Sequence, residues 1–328
     1  MSQHSNRREF LAQVGVAAAG AVVLPSFAFG GQGEPASRVV MARDAKLIGG
    51  EVGEHAELLR KLLDASVQKL TGAPDAAAAW RKWFTPKDRV GIKVNTLGFS
   101  TQPAVVDAIV AGLRQADVPA ENIVIWDRFD AELARGGYKL NKSTTGVRCY
   151  GTDSERVGSG YQERVETSGQ IGSCFSRILA EQVDAIISVP VLKDHNLAGV
   201  SLSMKNFFGA IHNPNKYHGT NCDPYISDVV AHPFIARKWR LTVLDATRGQ
   251  YQGGPGRNPD AIWPYGALVV STDFVAVDAV GADIVEAKRK AVGLPPLADD
   301  KRPTTHIATA AQRKMGVADL GRIERIEV

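Results

Sequence analysis

The sequence predicts an α/β fold in which a largely parallel or mixed sheet is flanked by helices. Short apolar runs with strand character alternate along the chain with segments whose apolar residues recur at helical spacing. Polar side chains follow several of these runs directly, which is where α/β proteins usually place a site. A hydrophobic content of 44% and a charged content of 23% are those of an ordinary globular chain.

Residues 1–30 are predicted to be a signal peptide and not part of the fold. Arg7 and Arg8 precede an apolar run from Val14 to Leu24 that is rich in Ala and Gly, and small residues follow it. This arrangement resembles a twin-arginine export signal, so the prediction is delivery to the periplasm by the twin-arginine translocase. An N-terminal membrane anchor is the alternative, but the run is shorter than the ~20 residues of a comfortable span.

Residues 31–328 are predicted to form one α/β domain without a stable membrane span. Its strands are short apolar runs and its helices have apolar residues three and four apart, with Gly72 and Pro86 ending the first two helices. The predicted strands are 38–42, 89–94, 122–126, 184–189, 241–244, 267–271 and 323–328. The predicted helices are 56–70, 75–84, 103–113, 175–182, 226–235, 274–290 and 305–315. Asp273 is the predicted N-cap of the helix that begins at 274.

The segment 136–173 loses this periodicity. Gly, Ser, Thr and charged residues dominate it, apart from a short V-R-C-Y strand candidate. A segment with few large apolar residues can bury little surface. It is interpreted as an insertion at the cleft, and a small subdomain is the alternative.

The stretch from Val189 to His218 is the predicted site. It holds three of the seven histidines and follows a predicted buried strand. His195 is the candidate general acid/base, since the unperturbed pKa of histidine lies near neutrality. Lys205 and Lys193 are candidates for stabilising an anion or, where burial removes water from them, for acting as nucleophiles. The alternative is that the lysines are solvated and His195 is a hydrogen-bonded surface residue.

Further candidates stand beside this stretch or at the ends of other strands. His212, His218 and Cys222 could supply metal ligands, although their spacing matches neither a helical H-x-x-x-H nor a zinc finger, and a loop histidine can simply face water. Asp245 follows a predicted strand and is kept as a possible site residue. The Gly-rich loop 248–257 could bind an anion through its backbone N–H groups. The alternative is that its glycines serve only the conformation of the loop.

Charge and cysteine usage exclude some classes of protein. A net charge of +4 is small, and no basic run alternates with aromatic residues, so nucleic acid is not expected as a partner. The cysteines Cys149, Cys174 and Cys222 form no C-x-x-C motif, so a ferredoxin-type iron–sulfur cluster is not expected. One pair could form a disulfide in the periplasm, or all three could be small buried residues.

Several motifs together resemble the DUF362 family. They are K-V-N after the second strand, L-K-D-H, M-K-N-F-F-G, a strand ending in V-L-D-A, a G-G-P loop and S-T-D-F-V-A-V-D-A-V-G. The family name records an unknown function, so the resemblance implies a fold more than an activity. Some relatives carry ferredoxin-type cysteine motifs, which this chain lacks.

A second, shorter resemblance concerns residues 195–205. They are similar to H-x-x-A-G-x-S-x-x-x-K in nickel-pincer lactate racemases. That resemblance implies that His195 is the acid/base and that Lys205 tethers a pincer cofactor. The cofactor-binding candidates are Lys205, Lys93, Asn95, Ser201, Asn206 and Asp245.

These observations lead to two competing hypotheses on function. In the first, the chain is an exported enzyme that acts on a small anionic, carboxylate-bearing substrate. Its chemistry would be acid/base catalysis of the racemase or isomerase kind, or metal-assisted, with a divalent metal or a nickel-pincer-like cofactor near His195 and Lys205. In the second, it is a non-catalytic periplasmic protein that binds a metal or a small anion in the same cleft.

Overall fold

A ten-stranded mixed sheet forms the centre of residues 36–328, the part of the chain that the computed structural model describes. A separate two-stranded hairpin lies outside it. In chain order the strands are β1 (Ser37–Arg43), β2 (Val90–Val94), β3 (Ile123–Trp126), β4 (Arg148–Cys149), β5 (Glu166–Ser168), β6 (Ile171–Ser173), β7 (Ala185–Val189), β8 (Val191–His195), β9 (Gly199–Val200), β10 (Trp239–Gln250), β11 (Ile262–Ser271) and β12 (Ile323–Glu327).

The order of strands across the sheet is β12-β1-β11-β10-β7-β2-β3-β4. Every neighbouring pair from β10 to β4 is parallel, and β11 runs antiparallel to both β1 and β10. The short strand β8 pairs with β10 and with β9. The predicted α/β fold with a largely parallel or mixed sheet is therefore confirmed.

Helices cover both faces of the sheet, because successive side chains of a buried strand point to opposite sides. In β7, Ile186 and Ile187 enter two different apolar cores. The core that contains Ile187 is covered by the first helices, and the core that contains Ile186 by later ones. The helices are α1 (Ala56–Thr71), α2 (Ala76–Arg81), α3 (Pro103–Gln115), α4 (Asp130–Arg135), α5 (Tyr225–Ala231), α6 (Pro233–Ala236), α7 (Phe274–Ala291) and α8 (Thr305–Gln312).

Local signals in the sequence set several boundaries as expected. Asp273 accepts hydrogen bonds from the backbone N–H groups of Val275 and Ala276, both at 2.9 Å, so it is the N-cap of α7. Gly72 ends α1 in the left-handed conformation, with φ at +65°, which a residue without a Cβ adopts at little cost. Within residues 36–328, no helix is both long and apolar enough to cross a bilayer.

Several predicted elements are wrong in extent, among them the strand predicted at 267–271, which begins at Ile262, and the helix predicted at 305–315, which ends at Gln312. The strand predicted at 241–244 continues to Gln250, because β10 stays paired with β11 past a bulge and also with β8. Asp245 therefore lies within that strand and not at its end. The helix predicted at 226–235 is two helices, since His232 is extended ahead of Pro233. The helix predicted at 175–182 shrinks to one short helical turn, Ile178–Gln182.

The segment 136–173 contains both sheet and irregular chain. Its V-R-C-Y motif forms β4, the edge strand beside β3, and the fully buried ring of Tyr150 follows directly. Its last residues form the hairpin β5–β6. The part around β4 therefore belongs to the sheet layer, and the interpretation of the remainder as an insertion stays a prediction. The predicted signal peptide, 1–30, lies outside the described residues.

Candidate functional site

A cavity of about 160 Å³ opens at the carboxyl ends of β2, β3 and β8. The connection from β2 to β3 runs through α3 on one face of the sheet, whereas the chain after β7 continues on the other face. The cavity therefore lies at a topological switch point of the sheet. Seven predicted site residues line the cavity: Lys93, Asn95, His195, Ser201, Lys205, Asn206 and His218.

Lys93 is buried in the cavity wall and is fully occupied by protein acceptors. Its Nζ donates to Asp127 Oδ1 at 2.6 Å, to the carbonyl of Val94 at 2.7 Å and to Asn206 Oδ1 at 3.0 Å. Burial lowers the pKa of Lys93, and the Asp127 carboxylate opposes that fall. An ammonium group has three donors, so none remains for a ligand. Lys93 therefore joins the ends of β2 and β3 structurally.

Lys193 supports the wall of the cavity from behind and does not line it. Its Nζ donates to the carbonyls of Leu97 at 2.6 Å and Phe99 at 2.9 Å and to Asn95 Oδ1 at 3.1 Å. Burial lowers the pKa of Lys193 to about 7. These bonds fix the loop that follows β2, which carries Asn95 to the cavity. The structure therefore places Lys193 as a positioning residue.

Lys205 presents its amine to the cavity. Its Nζ lies 3.2 Å from His218 Nε2 and 4.1 Å from the centre of the Phe208 ring. Among the described residues, no carboxylate lies within ion-pair distance of it. Burial lowers the pKa of Lys205 to about 8. Lys205 is thus a cation without an acidic partner at the edge of a cavity.

The two histidines that face Lys205 carry their protons on different nitrogens. His195 Nδ1 accepts from the backbone N–H groups of Leu197 at 3.1 Å and Ala198 at 3.2 Å, so the proton of the neutral ring is on Nε2. His218 Nδ1 lies 3.1 Å from the carbonyl of Pro214 and donates to it. Nε2 of His218 is therefore the acceptor that faces Lys205.

Burial, followed by the charge of Lys205, pushes the pKa of His195 far below its usual range and also lowers the pKa of His218. A neutral His195 with Nδ1 already occupied is a hydrogen-bond donor through Nε2–H. The general acid/base role of His195 stays a prediction. The amine of Lys205 and the Nε2 acceptor of His218 are in contact, so a proton can pass between them.

Two further titratable neighbours of Lys205, His306 and Cys222, are uncharged near neutral pH. His306 in α8 is fully buried, and burial with the charge of Lys205 lowers its pKa to about 3. Its two ring nitrogens have no hydrogen-bond partner among the described residues. Burial raises the pKa of the Cys222 thiol, although Lys205 opposes the rise. Lys205 therefore receives no compensating negative charge from these neighbours.

Sequence reasoning missed the charged residues that follow β3. Asp127 and Glu132 line the cavity and bind Lys93 and Arg128, and Arg128 Nη2 lies 3.3 Å from Glu132 Oε1. The D-R pair directly after an apolar strand was the available signal. A Cβ on Gly209 would lie 2.7 Å from Asp127 Oδ1, so the backbone there approaches the ion pair closely.

Four predicted site residues lie outside the cavity lining. Lys193 is the buried support described above. Asp245 is buried within β10, where it accepts from the Gln102 backbone at 2.8 Å and from Thr247 Oγ1 at 2.6 Å. His212 is exposed with its ring edge against Tyr161, and Cys222 is buried.

The predicted metal ligands do not form a cluster. Across residues 36–328, no group of three or more His, Cys, Asp or Glu side chains is arranged to hold a metal ion. Of His212, His218 and Cys222, only His218 reaches the cavity. The three cysteines are all free. The set predicted from sequence is therefore not assembled as a metal centre.

The cavity also does not fit a cofactor tethered to Lys205. Sites for drug-sized ligands and cofactors usually have volumes of ~300–1,000 Å³. A cavity of about 160 Å³ would have to hold the tethered group and a substrate together.

The fold and the cavity together define an α/β protein with a small cavity, lined by several charged side chains, at the carboxyl ends of its strands. A family model described as "Domain of unknown function (DUF362)" matches residues 90–283, more than half of the chain. The chain therefore belongs to the DUF362 family, as its motifs indicated. The matched region contains every residue that lines the cavity. None of the curated proteins compared with the chain matches it.

Proposed function

We propose that the cavity binds a small carboxylate-bearing anion and that Lys205 and His218 transfer a proton to or from it. One observation carries the proposal. Three cationic side chains line the cavity, and two of them, Lys93 and Arg128, have acidic partners in Asp127 and Glu132. The third, Lys205, has none among the described residues, so the lining carries one uncompensated positive charge. A monoanion would balance it.

The donors beside Lys205 suit an oxygen-bearing ligand. His195, whose neutral ring donates through Nε2–H, and Ser201, which carries a hydroxyl, both line the cavity. Hydrogen bonds with an ionised partner are shorter and stronger than neutral ones, so a carboxylate gains more here than an amide or an alcohol. The volume of the cavity limits the ligand to a small metabolite.

The contact between Lys205 and His218 supports an enzyme over a protein that only binds. General acid–base groups work best when their pKa lies near the working pH, and they contribute ~10²–10⁴-fold to a rate. The pKa of Lys205 is lowered to about 8 and its amine contacts an acceptor nitrogen. Racemase- or isomerase-like proton transfer is the matching class. The competing hypothesis, an anion-binding accessory protein, uses the same charge without turnover.

Anion affinity is expected to depend on pH through Lys205. Because its pKa in the folded protein is about 8, Lys205 is charged below that pH and loses its charge above it. Affinity for lactate should therefore be highest at neutral pH and fall roughly tenfold per pH unit above about 8. Titration calorimetry across that range, with uncharged lactamide as the control ligand, measures this. An affinity for lactate that does not change with pH, or equal binding of lactamide, would contradict the proposal.

Turnover can be separated from binding in the same system. If Lys205 and His218 transfer protons, the α-proton of a bound hydroxy acid should exchange with deuterium from solvent. Nuclear magnetic resonance of lactate in deuterated buffer detects that exchange. Binding without exchange over a panel of small hydroxy and amino acids would favour the accessory-protein hypothesis.

Export by the twin-arginine route is also part of the proposal. It rests on Arg7 and Arg8 ahead of the Ala/Gly-rich run. Replacing both with lysine is expected to leave full-length precursor in the cytoplasm, because the translocase recognises the pair. Immunoblots of periplasmic and cytoplasmic fractions measure this. Processed protein of the double variant in the periplasm at the wild-type level would exclude this route.

A further inference from the structure

Three buried lysines, Lys93, Lys193 and Lys205, lie around this cavity. The atoms that contact their amines differ in a way that affects the reactivity of each amine. Lys93 Nζ donates to a carboxylate, an amide oxygen and a carbonyl, and Lys193 Nζ donates to an amide oxygen and carbonyls. Lys205 Nζ contacts only one hydrogen-bonding atom among the described residues, His218 Nε2, at 3.2 Å. The amines of the first two lysines are enclosed by oxygen acceptors, whereas the amine of Lys205 faces the cavity.

We propose that Lys205 forms a protonated imine with the carbonyl group of a small α-oxo acid bound in this cavity. This rests on the proposed anion-binding function and names its substrate class. A lysine becomes a nucleophile when burial favours its neutral form, and imine formation with a carbonyl is the usual consequence. Lys205 is 6% exposed, and its partner is a neutral nitrogen acceptor, which holds the ammonium form less firmly than a carboxylate would.

The reaction balances with groups that are already present. The Lys205 ammonium gives a proton to His218 Nε2, and the neutral amine attacks the carbonyl carbon. A C–N bond forms while the C=O π electrons move to oxygen. Two protons, the one held by His218 and one from nitrogen, reach that oxygen, which leaves as water. The products are the protonated imine and water, so no oxidant, reductant or other co-reactant is consumed.

His218 is arranged to take part in this transfer. Its Nδ1–H donates to the carbonyl of Pro214 at 3.1 Å, and that bond becomes stronger when the ring gains a proton on Nε2. His218 thus holds the proton between the loss from nitrogen and the departure of water. His195 cannot do the same through Nδ1, because Leu197 and Ala198 occupy that nitrogen. Its Nε2–H instead offers a donor to the oxygen of the substrate.

Imine formation does not remove the charge that attracts the anion. A protonated imine is a cation at nearly the same position as the ammonium, so it remains beside the carboxylate of the substrate. The size of the cavity favours the smallest oxo acids. Glyoxylate and pyruvate are therefore the probes.

Reductive trapping tests the proposal on the wild-type protein. Protein is mixed with glyoxylate or pyruvate, reduced with cyanoborohydride, and digested with trypsin for mass spectrometry. A reduced adduct on Lys205 would also block tryptic cleavage after that residue. We expect Lys205 to be modified well before exposed lysines such as Lys61, and the enclosed Lys193 to stay unmodified. Modification of Lys61 at the same rate as Lys205 would overturn the proposal.

Two variants test the roles of Lys205 and His218 in adduct formation separately. Lys205→Arg keeps the positive charge but offers no primary amine, so it should form no adduct at this position. His218→Gln should slow trapping at Lys205 by on the order of 10²-fold, because the proton acceptor is lost. A His218→Gln variant that is trapped as fast as the wild type would exclude the proton-transfer step.

These experiments distinguish a failure of imine formation from a failure of anion binding. If wild-type protein binds lactate but gives no adduct with either oxo acid, the imine is excluded and anion binding stands. If neither lactate nor an oxo acid binds, both proposals fall. An adduct on Lys205, formed ahead of exposed lysines and suppressed by excess lactate, supports both.

Discussion

Lys205→Met is expected to abolish most anion binding while the protein stays folded. The change removes the one cavity cation that has no acidic partner among the described residues. Methionine is an unbranched apolar side chain of similar length, although the contact of the amine with the Phe208 ring is lost. A hydrogen bond to a charged group contributes about 1.5–3 kcal/mol, which is roughly a 10- to 150-fold loss of affinity. Calorimetric titration with lactate measures this loss of affinity. Stability should be unchanged or slightly higher, because a buried ammonium group is no longer desolvated.

Lys193→Met is the matched control. Lys193 is also fully buried, but its amine binds the loop at 95–99 and does not line the cavity. Its replacement should lower the free energy of unfolding, because the carbonyls of Leu97 and Phe99 lose their donor. Urea denaturation of both variants separates the two roles. Wild-type affinity in Lys205→Met, or a loss of stability equal to that of Lys193→Met, would refute the assignment of Lys205.

The largest loss of stability is expected from Lys93→Met. Lys93 and Asp127 form a buried ion pair with a 2.6 Å contact, and the exposed fractions of their side chains are 1% and 6%. Removing one partner of such a pair leaves an uncompensated buried charge and lowers the free energy of unfolding by about 3–5 kcal/mol. Urea unfolding of the variant and the wild type measures this loss.

The double variant Lys93→Met with Asp127→Asn tests whether the loss of stability in Lys93→Met comes from the unpaired charge of Asp127. Asparagine removes the orphaned charge and keeps an oxygen that can accept from the backbone N–H of Thr96, now bound at 2.7 Å. Much of the stability should return, and the two changes should be strongly non-additive because the residues touch. Additive losses in the double variant would mean that Lys93 stabilises the fold through packing and not through its charge.

The architecture follows from local sequence patterns, which is why much of it could be predicted. Apolar runs such as the one in β7 are buried on both faces, and capping residues such as Asp273 act on backbone groups a few positions away. Errors occurred where a distant partner overrode the local pattern. The polar and glycine residues at the end of β10 remain strand because β11 and β8 pair with them. Nothing within 245–250 itself indicates those partners.

By itself, the sequence determined the fold class, the family and the stretch that supplies the histidines and lysines of the cavity. Only the tertiary structure decided what each of those side chains can do. Lys93, Lys193 and Lys205 are all site candidates in the sequence, yet Asp127 binds the first and the loop after β2 binds the second. The reason is physical. The charge, proton position and pKa of a buried group depend on the atoms that replace its water, and here those atoms come from residues as far as 113 positions away.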